Sequence, residues 1–309
     1  MAQTRGTAPF LSDNTDYRDV YVLVETALKE LPPIWRKYYN IETSDRKTEI
    51  TQSWVEMGDV PEKAEGANYA TDLIRPGFQK SVSHTEFGLG FEMTETSGED
   101  DKRNVLKRNG KFLAYSARYV EEKRAALPLV NGFSTETTND GVAAFSASHV
   151  LAGPSAGTFR NILNPGQDLS WNSLTQAMID LQNETKTDQG KFVTPITDWN
   201  IVVPPALEFT AARILTSTLL PGVADNDKNV LKDRRKFNII VNPHLSDADA
   251  WYLLASDKGR HGLTSYTRIP ITMAPAMTDA RTGNVIYKIR FRRSWFWNDP
   301  QNAFASAGA

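Results

Sequence analysis

The segment "SGEDDKRNVLKRNGKFLAYSARYVEEKRAAL" (residues 97–127) carries the strongest periodic pattern in the sequence. Ser97 and Asp100 are suited to cap a helix, and the acidic run 99–101 suits the positive end of the helix dipole. The pattern predicts a helix over 99–127, about 40 Å long, with one apolar stripe and polar remaining faces that include Glu121 and Glu122. The stripe consists of two neighbouring columns at seven-residue steps, Leu106, Leu113, Val120 and Leu127 in one and Val105, Phe112, Tyr119 and Ala126 in the other.

The stripe is compatible with two kinds of partner. Against a coiled coil stand the four steps of a single heptad run, with no other such run in the chain, and Gly110 inside it. We therefore expect the helix to pack across strands of its own domain, with a coiled coil as the alternative.

Before this helix the apolar period changes to two, which is typical of strands with one buried face. The runs are "TEITQSWVEM" (residues 48–57) and "EFGLGFEMTET" (residues 86–96). If these runs pair, residues 58–80 between them project as an extended two-stranded arm. This connection is poor in large apolar residues and too long for a compact domain, so we expect its own subunit to leave it uncovered.

The N-terminal region contains a shorter helical pattern. Apolar residues recur at helical spacing up to Leu31, Asp13 to Asp16 offer capping oxygens, and Pro32 and Pro33 end the run. We expect a short amphipathic helix on a loose arm. Packing of this helix on its own core is the alternative that the pattern leaves open.

Two later segments each read as a buried strand, a proline and then a helix. They are residues 198–215 and residues 237–255, the second with a capping box at Ser246 and Asp249. They predict an α/β subdomain with its own small sheet. Residues 285–297, "VIYKIRFRRSWFW", alternate apolar and basic side chains and predict an edge-compatible strand with a basic outer face.

Composition excludes several function classes. The 309 residues contain 35 Lys and Arg against 37 Asp and Glu, and a formal net charge of -2 gives no footprint of a nucleic-acid or polybasic membrane binder. The chain has no cysteine, which excludes disulfides and thiolate metal sites. With no signal peptide pattern and no run of eighteen apolar residues, we expect a soluble protein made and kept in a cytoplasm.

No motif predicts a cofactor or metal. Gly88 and Gly90 lie inside a strand pattern without the third glycine or the helix start of a phosphate loop, and we expect close strand packing there. The polar run from Asp225 lacks the glycine and the bidentate glutamate of a calcium loop. The histidines have no second ligand at metal-binding spacing; they are His84, His149, His244 and His261.

The segment "DGVAAFSASHV" (residues 140–150) raises the question of a serine hydrolase, because Ser146 and Ser148 lie close to His149. A nucleophilic serine needs an imidazole base within hydrogen-bond reach. Here the G-x-S-x-G elbow is missing, and side chains so spaced on a strand or loop usually point apart. We expect a structural role for these residues and no catalytic residue.

The order of these parts resembles the major capsid proteins of tailed double-stranded DNA bacteriophages, which have the α+β Hong Kong 97-type fold. The local sequence is most similar to the Mu-like major head subunit group. The resemblance covers most of the chain, from about Trp54 to Trp297. It is carried by "LVNGF" (129–133) with Asp140, Gly141, Phe145 and His149 after it, by "NIVVPPALEFTAARILTS" (200–217), and by "FNIIVNPHLSDADAWYLLAS" (237–256).

The resemblance implies a division of the chain into four parts. It gives an N-arm at 1–47, an extended loop at 48–96, a peripheral domain at 97–194 and 281–309 with its spine helix at 99–127, and an axial domain at 195–280. The long cleavable N-terminal segment of the family is not apparent. That implies either a separate scaffolding protein or a chain already in its mature form.

The resemblance also implies function and partners. It implies self-assembly into homo-pentamers and homo-hexamers of an icosahedral head around double-stranded DNA, found in the virion and assembled in the host cytoplasm. Portal and scaffolding proteins, and in some relatives decoration proteins, are implied partners; contact with DNA is expected to be weak and non-specific, with no membrane and no cofactor. The implied inter-subunit contact residues of the N-arm and extended loop are Tyr17, Tyr21, Trp54, Lys63, Tyr69, Arg75, Phe78 and Lys80.

Some relatives cross-link a lysine of the extended loop to a neighbour. Lys63 and Lys80 lie in the corresponding region, and we expect no cross-link at either. An encapsulin-type shell of the same fold is the main alternative function. A hydrolase using Ser148 and His149 and a nucleic-acid-binding module are remote alternatives.

Overall fold

The computed structural model describes residues 15–94, 96, 105–153, 157–184, 186–191, 196, 198–220, 227–234, 236–256 and 261–309. Within these ranges the helices are α1 (Thr15–Glu30), α2 (Val105–Val130), α3 (Trp171–Glu184), α4 (Glu208–Thr216) and α5 (Val230–Arg234). The strands are β1 (Asn40–Thr43), β2 (Thr48–Val55), β3 (Arg75–Ser83), β4 (Thr85–Met93), β5 (His149–Val150), β6 (Thr158–Phe159), β7 (Asp198–Val203), β8 (Lys236–Val241), β9 (Trp251–Ala255), β10 (Leu263–Thr278), β11 (Val285–Trp297) and β12 (Ala303–Ser306). Short 3-10 turns occupy Trp35–Lys37, Asn131–Phe133 and Pro205–Leu207.

Two four-stranded sheets organise the chain. The first has the order β1-β10-β11-β4 and the second β12-β9-β7-β8. The strands β2 and β3 form a separate hairpin, and β5 pairs with β6. The fold is therefore α+β, as the sequence predicts.

The long helix α2 packs on the first sheet. Its buried face, which includes Leu106, Leu113 and Ala117, lies in one cluster with Tyr287 and Phe291 of β11. The prediction of a long helix on its own strands is confirmed from Val105 onward. Its predicted cap at 97–101 lies outside the described residues.

The predicted stripe on α2 is only partly buried. Leu106, Leu113 and Ala126 are buried as expected, but Phe112 and Tyr119 are 56% and 57% exposed. Successive residues of an α-helix are turned by about 100°, so Phe112 and Tyr119, each next to a residue of the inward column, fall at the margin of the interface. The real contact face follows the 3.6-residue period.

Helix α1 packs against α2 instead of standing free. Val20, Val24 and Ala27 are buried in the same cluster as the α2 face. Gly110 permits this approach, because a Cβ there would lie 3.1 Å from Val20 Cγ1. Of the two readings of the N-terminal pattern, packing on the chain's own core is the correct one.

The strand pairing of the arm differs from the prediction. Strand β2 pairs with β3, from Thr48 opposite Ser83 to Val55 opposite Arg75. Strand β4 belongs to the first sheet, antiparallel to β11. Aromatic stacking explains the choice, since the rings of Phe87 and Phe91 on β4 lie 4.9 Å and 5.1 Å from those of their β11 partners.

The second strand-helix unit is also corrected. Residues 198–215 form β7, a 3-10 turn and α4 as predicted, but Trp251–Ala255 is a strand between β7 and β12. All five of its residues are buried. A short apolar run is compatible with a buried helix or a central strand, and here the sheet takes it. Ser246 and Asp249 lie before a strand and cap no helix.

The sequence predicts an edge-compatible strand, but β11 lies inside the first sheet, between β10 and β4. The predicted alternation is confirmed from Val285 to Arg292. Beyond that point the pattern breaks, because Arg293 is only 2% exposed.

Glu121 and Glu122 of α2 are buried, contrary to the expectation of a solvated face. The Glu121 carboxylate accepts hydrogen bonds from the guanidinium groups of Arg118 and Arg293. The Glu122 carboxylate accepts from the backbone N–H groups of Ile34 and Trp35. Burial raises the pKa of Glu122, and those two backbone hydrogen bonds oppose the rise.

Arg293 is held between aromatic rings as well as by charge. Its guanidinium carbon lies 4.8 Å from the ring centre of Trp35 and 5.9 Å from that of Trp295. Such cation-π contacts favour arginine, whose planar cation stacks on rings. One arginine therefore joins α2, β11 and the segment after α1.

We predict that Glu121→Gln lowers the free energy of unfolding by about 3–5 kcal/mol, because it leaves the charge of buried Arg293 uncompensated. Glu86→Gln is the matched control: its carboxylate lies 3.9 Å from both Arg290 and Arg292, but 54% of the side chain is exposed. An exposed pair contributes about 0–1 kcal/mol. Denaturant unfolding of both variants checks the difference, and equal losses would contradict the buried-cluster account.

Candidate assembly surface

The hairpin β2–β3 is tied to the rest of the chain at its base. The ammonium group of Lys80 on β3 lies 3.3 Å from Glu136 Oε1 and 3.0 Å from the carbonyl oxygen of Trp297, and it also donates to the carbonyl of Thr137. The ring of Phe296 lies 5.6 Å from the same ammonium group. Lys80 therefore anchors the hairpin within its own chain.

The loop between the two strands, residues 56–74, contains no helix or strand. Residues far along the chain bind the start of this loop. Lys191 Nζ donates to the carbonyl oxygens of Met57 and Gly58 at 2.9 Å and 3.1 Å. Gln189 Nε2 donates to the carbonyl oxygen of Glu56 at 2.7 Å. We call residues 48–83 the arm and residues 56–74 the arm loop.

The arm is rich in exposed apolar side chains. Val60 is 96% exposed, Tyr69 83% and Leu73 77%. Ile50, Trp54, Met57 and Ile74 are exposed as well. Single exposed apolar residues are ordinary, but a concentration of this kind marks an interaction surface.

The arm loop is also acidic. It carries Glu56, Asp59, Glu62, Glu65 and Asp72 against the single base Lys63. Backbone hydrogen bonds from Gly58 and Leu73 lower the pKa of Asp72 and favour its ionised form. The Lys63 ammonium lies 4.8 Å from the ring centre of Tyr69, so its charge sits over an aromatic face.

A second exposed apolar surface lies on α2. Phe112, Tyr115 and Tyr119 are exposed at spacings of three and four residues and share one face of the helix. A groove of about 190 Å³ between α2 and strands β4 and β11 has a mainly apolar lining that includes Leu89 and Val120. Exposed basic side chains on α2 are Lys107, Arg108, Lys111, Lys123 and Arg124.

We call the α2 aromatic residues and this groove the spine face. Sequence reasoning missed it, because the seven-residue columns assign Phe112 and Tyr119 to the core. A 3.6-residue period applied to residues 105–130 separates the buried residues of α2 from the exposed Phe112, Tyr115 and Tyr119.

The structure scatters the predicted contact residues over three environments. Trp54, Lys63, Tyr69 and Arg75 are exposed on the arm. Phe78 is half-buried and lines a small cleft with Asp140 and Asp299, and Lys80 is engaged as described above. On α1, Tyr21 is half-buried against the α1–α2 cluster, while the side chain of Tyr17 lies outside the described part.

Among the described residues, His149 is paired with Asp140 and Asn161 and with no serine. Its ring is fully buried, with Nδ1 2.8 Å from Asp140 Oδ2 and Nε2 3.1 Å from Asn161 Oδ1. The Asn161 amide nitrogen donates to the carbonyl oxygens of Ala144 and Pro300, which fixes Oδ1 toward the histidine. Both ring nitrogens are therefore occupied by partners other than a serine hydroxyl.

In the described residues neither serine hydroxyl is hydrogen-bonded to His149. Ser146 Oγ instead accepts from the backbone N–H of Ser148 at 3.2 Å. Burial alone would raise the pKa of Asp140, but hydrogen bonds from His149, Thr138 and the Val142 N–H outweigh it and lower the pKa. The histidine and the aspartate therefore form a buried structural pair.

Gly90 on β4 lies close to the backbone of β11. A Cβ at Gly90 would lie 2.9 Å from the carbonyl oxygen of Tyr287, which agrees with the expected close strand packing. Within the described ranges, no group of three His, Asp or Glu side chains is placed to hold a metal ion. None of the described helices is long and apolar enough to cross a bilayer.

Comparison with known proteins gives a family and a fold. A sequence model of the phage capsid protein family matches residues 79–306. No curated protein sequence matches the chain.

Solved structures with similar folds include phage capsids and an encapsulin. The procapsid of bacteriophage JBD30 is 15% identical with a TM-score of 0.52, covering 97% of this chain and 76% of that one. The mature capsid of bacteriophage PhiM1 is 12% identical with a TM-score of 0.55, covering 89% and 86%. The holo-SrpI encapsulin complex from Synechococcus elongatus PCC 7942 is 9% identical with a TM-score of 0.52, covering 91% and 89%. The predicted Hong Kong 97-type fold is confirmed.

We predict that alanine substitutions at Ser148 and His149, the two residues of the hydrolase hypothesis, change the free energy of unfolding by very different amounts. Ser148→Ala changes the free energy of unfolding by less than about 0.5 kcal/mol, because the side chain is exposed. His149→Ala lowers it by about 2–4 kcal/mol, because it removes a fully buried ring and takes from Asp140 Oδ2 its hydrogen-bond partner. Thermal or denaturant unfolding measures both, and a stable His149→Ala protein that loses an esterase activity would contradict the structural role.

Proposed function

The chain belongs to the phage capsid protein family, and we propose that its copies join as pentamers and hexamers into a closed icosahedral shell of the virion that encloses double-stranded DNA. The observation that carries this proposal is the exposed apolar arm. Val60, Tyr69 and Leu73 are more than three-quarters exposed on one loop. A second copy that covers this loop would remove that apolar surface from water, which is the main driving force of association.

The arm loop and the spine face are complementary in two respects. Both expose aromatic and aliphatic side chains, and the acidic loop is opposite in charge to the basic side chains around the spine face. We infer that the arm of one copy lies on the spine face of the next. Such a contact joins two different patches, so repetition around an axis closes a ring.

The proposed contact residues then have distinct roles. Trp54, Lys63, Tyr69 and Arg75 lie on the exposed part of the arm and would touch the neighbouring copy. Phe78 and Lys80 would hold the base of the arm, which leaves Lys80 without a role in cross-linking. Tyr17 and Tyr21 would contribute contacts from the N-terminal arm.

The finer features of the resemblance are also proposals. They include membership of the Mu-like head subunit group, portal, scaffolding and decoration partners, weak contact with packaged DNA, and assembly in the host cytoplasm. The proposed parts are the N-arm (1–47), the extended loop (48–96), the peripheral domain (97–194 and 281–309) and the axial domain (195–280). Because β4 belongs to the first sheet, where it pairs with β11, the part of the extended loop that projects from the body would be the arm.

An encapsulin-type compartment is the second candidate, favoured by the similarity of fold to the SrpI encapsulin. The contents of the particle distinguish the two functions. Particles from the native source that protect double-stranded DNA from nuclease support the phage head. Particles that contain a cargo protein and no DNA support the compartment.

We predict that removal of the arm loop abolishes assembly without unfolding the subunit. Val55 lies opposite Arg75, so residues 56–74 can be replaced by Asn-Gly, the dipeptide of a two-residue hairpin turn. A subtler variant carries Val60→Ser, Tyr69→Ser and Leu73→Ser. Its matched control replaces the exposed uncharged polar residues Asn68, Thr71 and Gln79 by serine.

The arm-loop variants should keep the circular dichroism spectrum and form no particles by size-exclusion chromatography and electron microscopy. The control should form particles like the natural chain, because substitutions at exposed polar sites change stability by about 0.5 kcal/mol or less. Normal particles from the arm-loop variants would refute the proposal.

A mixing experiment tests where the arm lies. A chain with Phe112→Lys and Tyr119→Lys keeps its arm but has an altered spine face, whereas the chain without the arm loop keeps the spine face. Each alone should remain monomeric, while the mixture should form heterodimers that cannot extend to rings, as measured by mass photometry. Rings from the altered spine face alone would place the arm contact elsewhere.

A further inference from the structure

A cavity of about 370 Å³ opens where the end of α1, helix α2 and strands β10 and β11 meet. Arg36, Arg118 and Arg293 contribute to its lining, together with Lys29. Arg293 is 2% exposed and Arg36 is exposed. The guanidinium groups therefore extend from the interior of the protein to its surface.

Positive charge exceeds negative charge in this cavity. Its lining contains four cationic side chains and two carboxylates, Glu25 and Glu121. Glu121 is already shared by Arg118 and Arg293. Neighbouring Glu122, outside the lining, accepts from backbone N–H groups.

The arginines also affect one another. Burial first, and then the charges of Arg36 and Arg118, lower the pKa of Arg293 to about 9. Burial and the charge of Arg118 lower the pKa of Arg36. Both pKa shifts mean that burial and the neighbouring arginines disfavour the charged forms of Arg36 and Arg293.

The guanidinium groups of the lining arginines are only partly engaged by the described residues. Among the described residues, the buried Nε atoms of Arg118 and Arg293 have no hydrogen-bond partner, while the terminal nitrogens of Arg118 donate to Glu121 and to the Leu28 carbonyl. Arg36 has its guanidinium carbon 5.5 Å from the ring centre of Trp35 and forms no ion pair with a described residue. An anion in the cavity would offset the excess positive charge and accept further hydrogen bonds from the guanidinium groups of the lining.

We propose that this cavity binds a free phosphate-type oxyanion, with Arg36, Arg118 and Arg293 as its ligands. A tetrahedral oxyanion offers acceptors in several directions, which suits guanidinium groups that arrive from a turn, a helix and a strand. Arg293 is too deeply buried to meet a phosphate of an intact duplex. The inference does not depend on shell assembly, because all these residues belong to one chain.

The test uses inorganic phosphate and the full-length chain at constant ionic strength, with chloride as the reference anion. Isothermal titration calorimetry should detect phosphate binding. The Tm should rise by about 2 °C when phosphate exceeds its Kd by about tenfold. Arg36→Gln should weaken phosphate binding by about tenfold or more, since it removes a charged ligand at an exposed position.

The matched control is Arg108→Gln, which removes an exposed arginine of α2 that does not line the cavity. It should bind phosphate like the natural chain. Equal effects of the two substitutions, or no response to phosphate, would overturn the proposal. An equal Tm shift with acetate would also overturn it and assign the cavity to a carboxylate, and binding of a short DNA duplex without binding of phosphate would assign it to nucleic acid.

Discussion

The contact between helix α2 and the first sheet depends on a carboxylate that has no access to water. Glu121 lies on the buried face of α2 and needs two arginines, one from its own helix and one from β11. A buried ion pair is favourable only when its geometry and hydrogen bonds are nearly complete, so it tolerates few alternative arrangements. One position along α2 therefore aligns helix and sheet, and Glu122 beside it fixes the segment that follows α1.

Because the rest of the chain is stabilised by its own contacts, the arm can remain exposed to water. The apolar clusters of the two sheets and their helices are buried within one chain. The arm loop adds little to them and leaves Val60, Tyr69 and Leu73 in water. The buried clusters and the arm that we propose for association thus lie in different parts of the chain, which suits a subunit of the phage capsid protein family.

Periodic patterns in the sequence predicted individual helices and strands better than they predicted which strands pair. The α2 helix, the β7 to α4 unit and the alternation along β11 follow from periodicity in one segment. The pairing of β2 with β3 depends on which strand offers stacking for Phe87 and Phe91, and that information lies two hundred residues away in β11. Trp251–Ala255 reads equally well as a buried helix or a central strand, so only its place between β7 and β12 decides. The spine face was missed for a different reason, since a seven-residue count follows the wrong period over 26 residues.

The anchoring of the arm by Lys80 has a mechanical consequence. An eight-residue strand is about 26 Å long, so a rotation of about 10° at its base displaces the far end by about 5 Å. The Lys80 ammonium group donates to oxygens from two segments at the base of the arm, and Lys191 and Gln189 hold its loop. The arm can turn about Lys80 once those loop hydrogen bonds break, while every strand of the body keeps its register. A single polypeptide with such a lever can reach neighbours that stand at unequal angles, as a curved surface tiled with rings of different size requires.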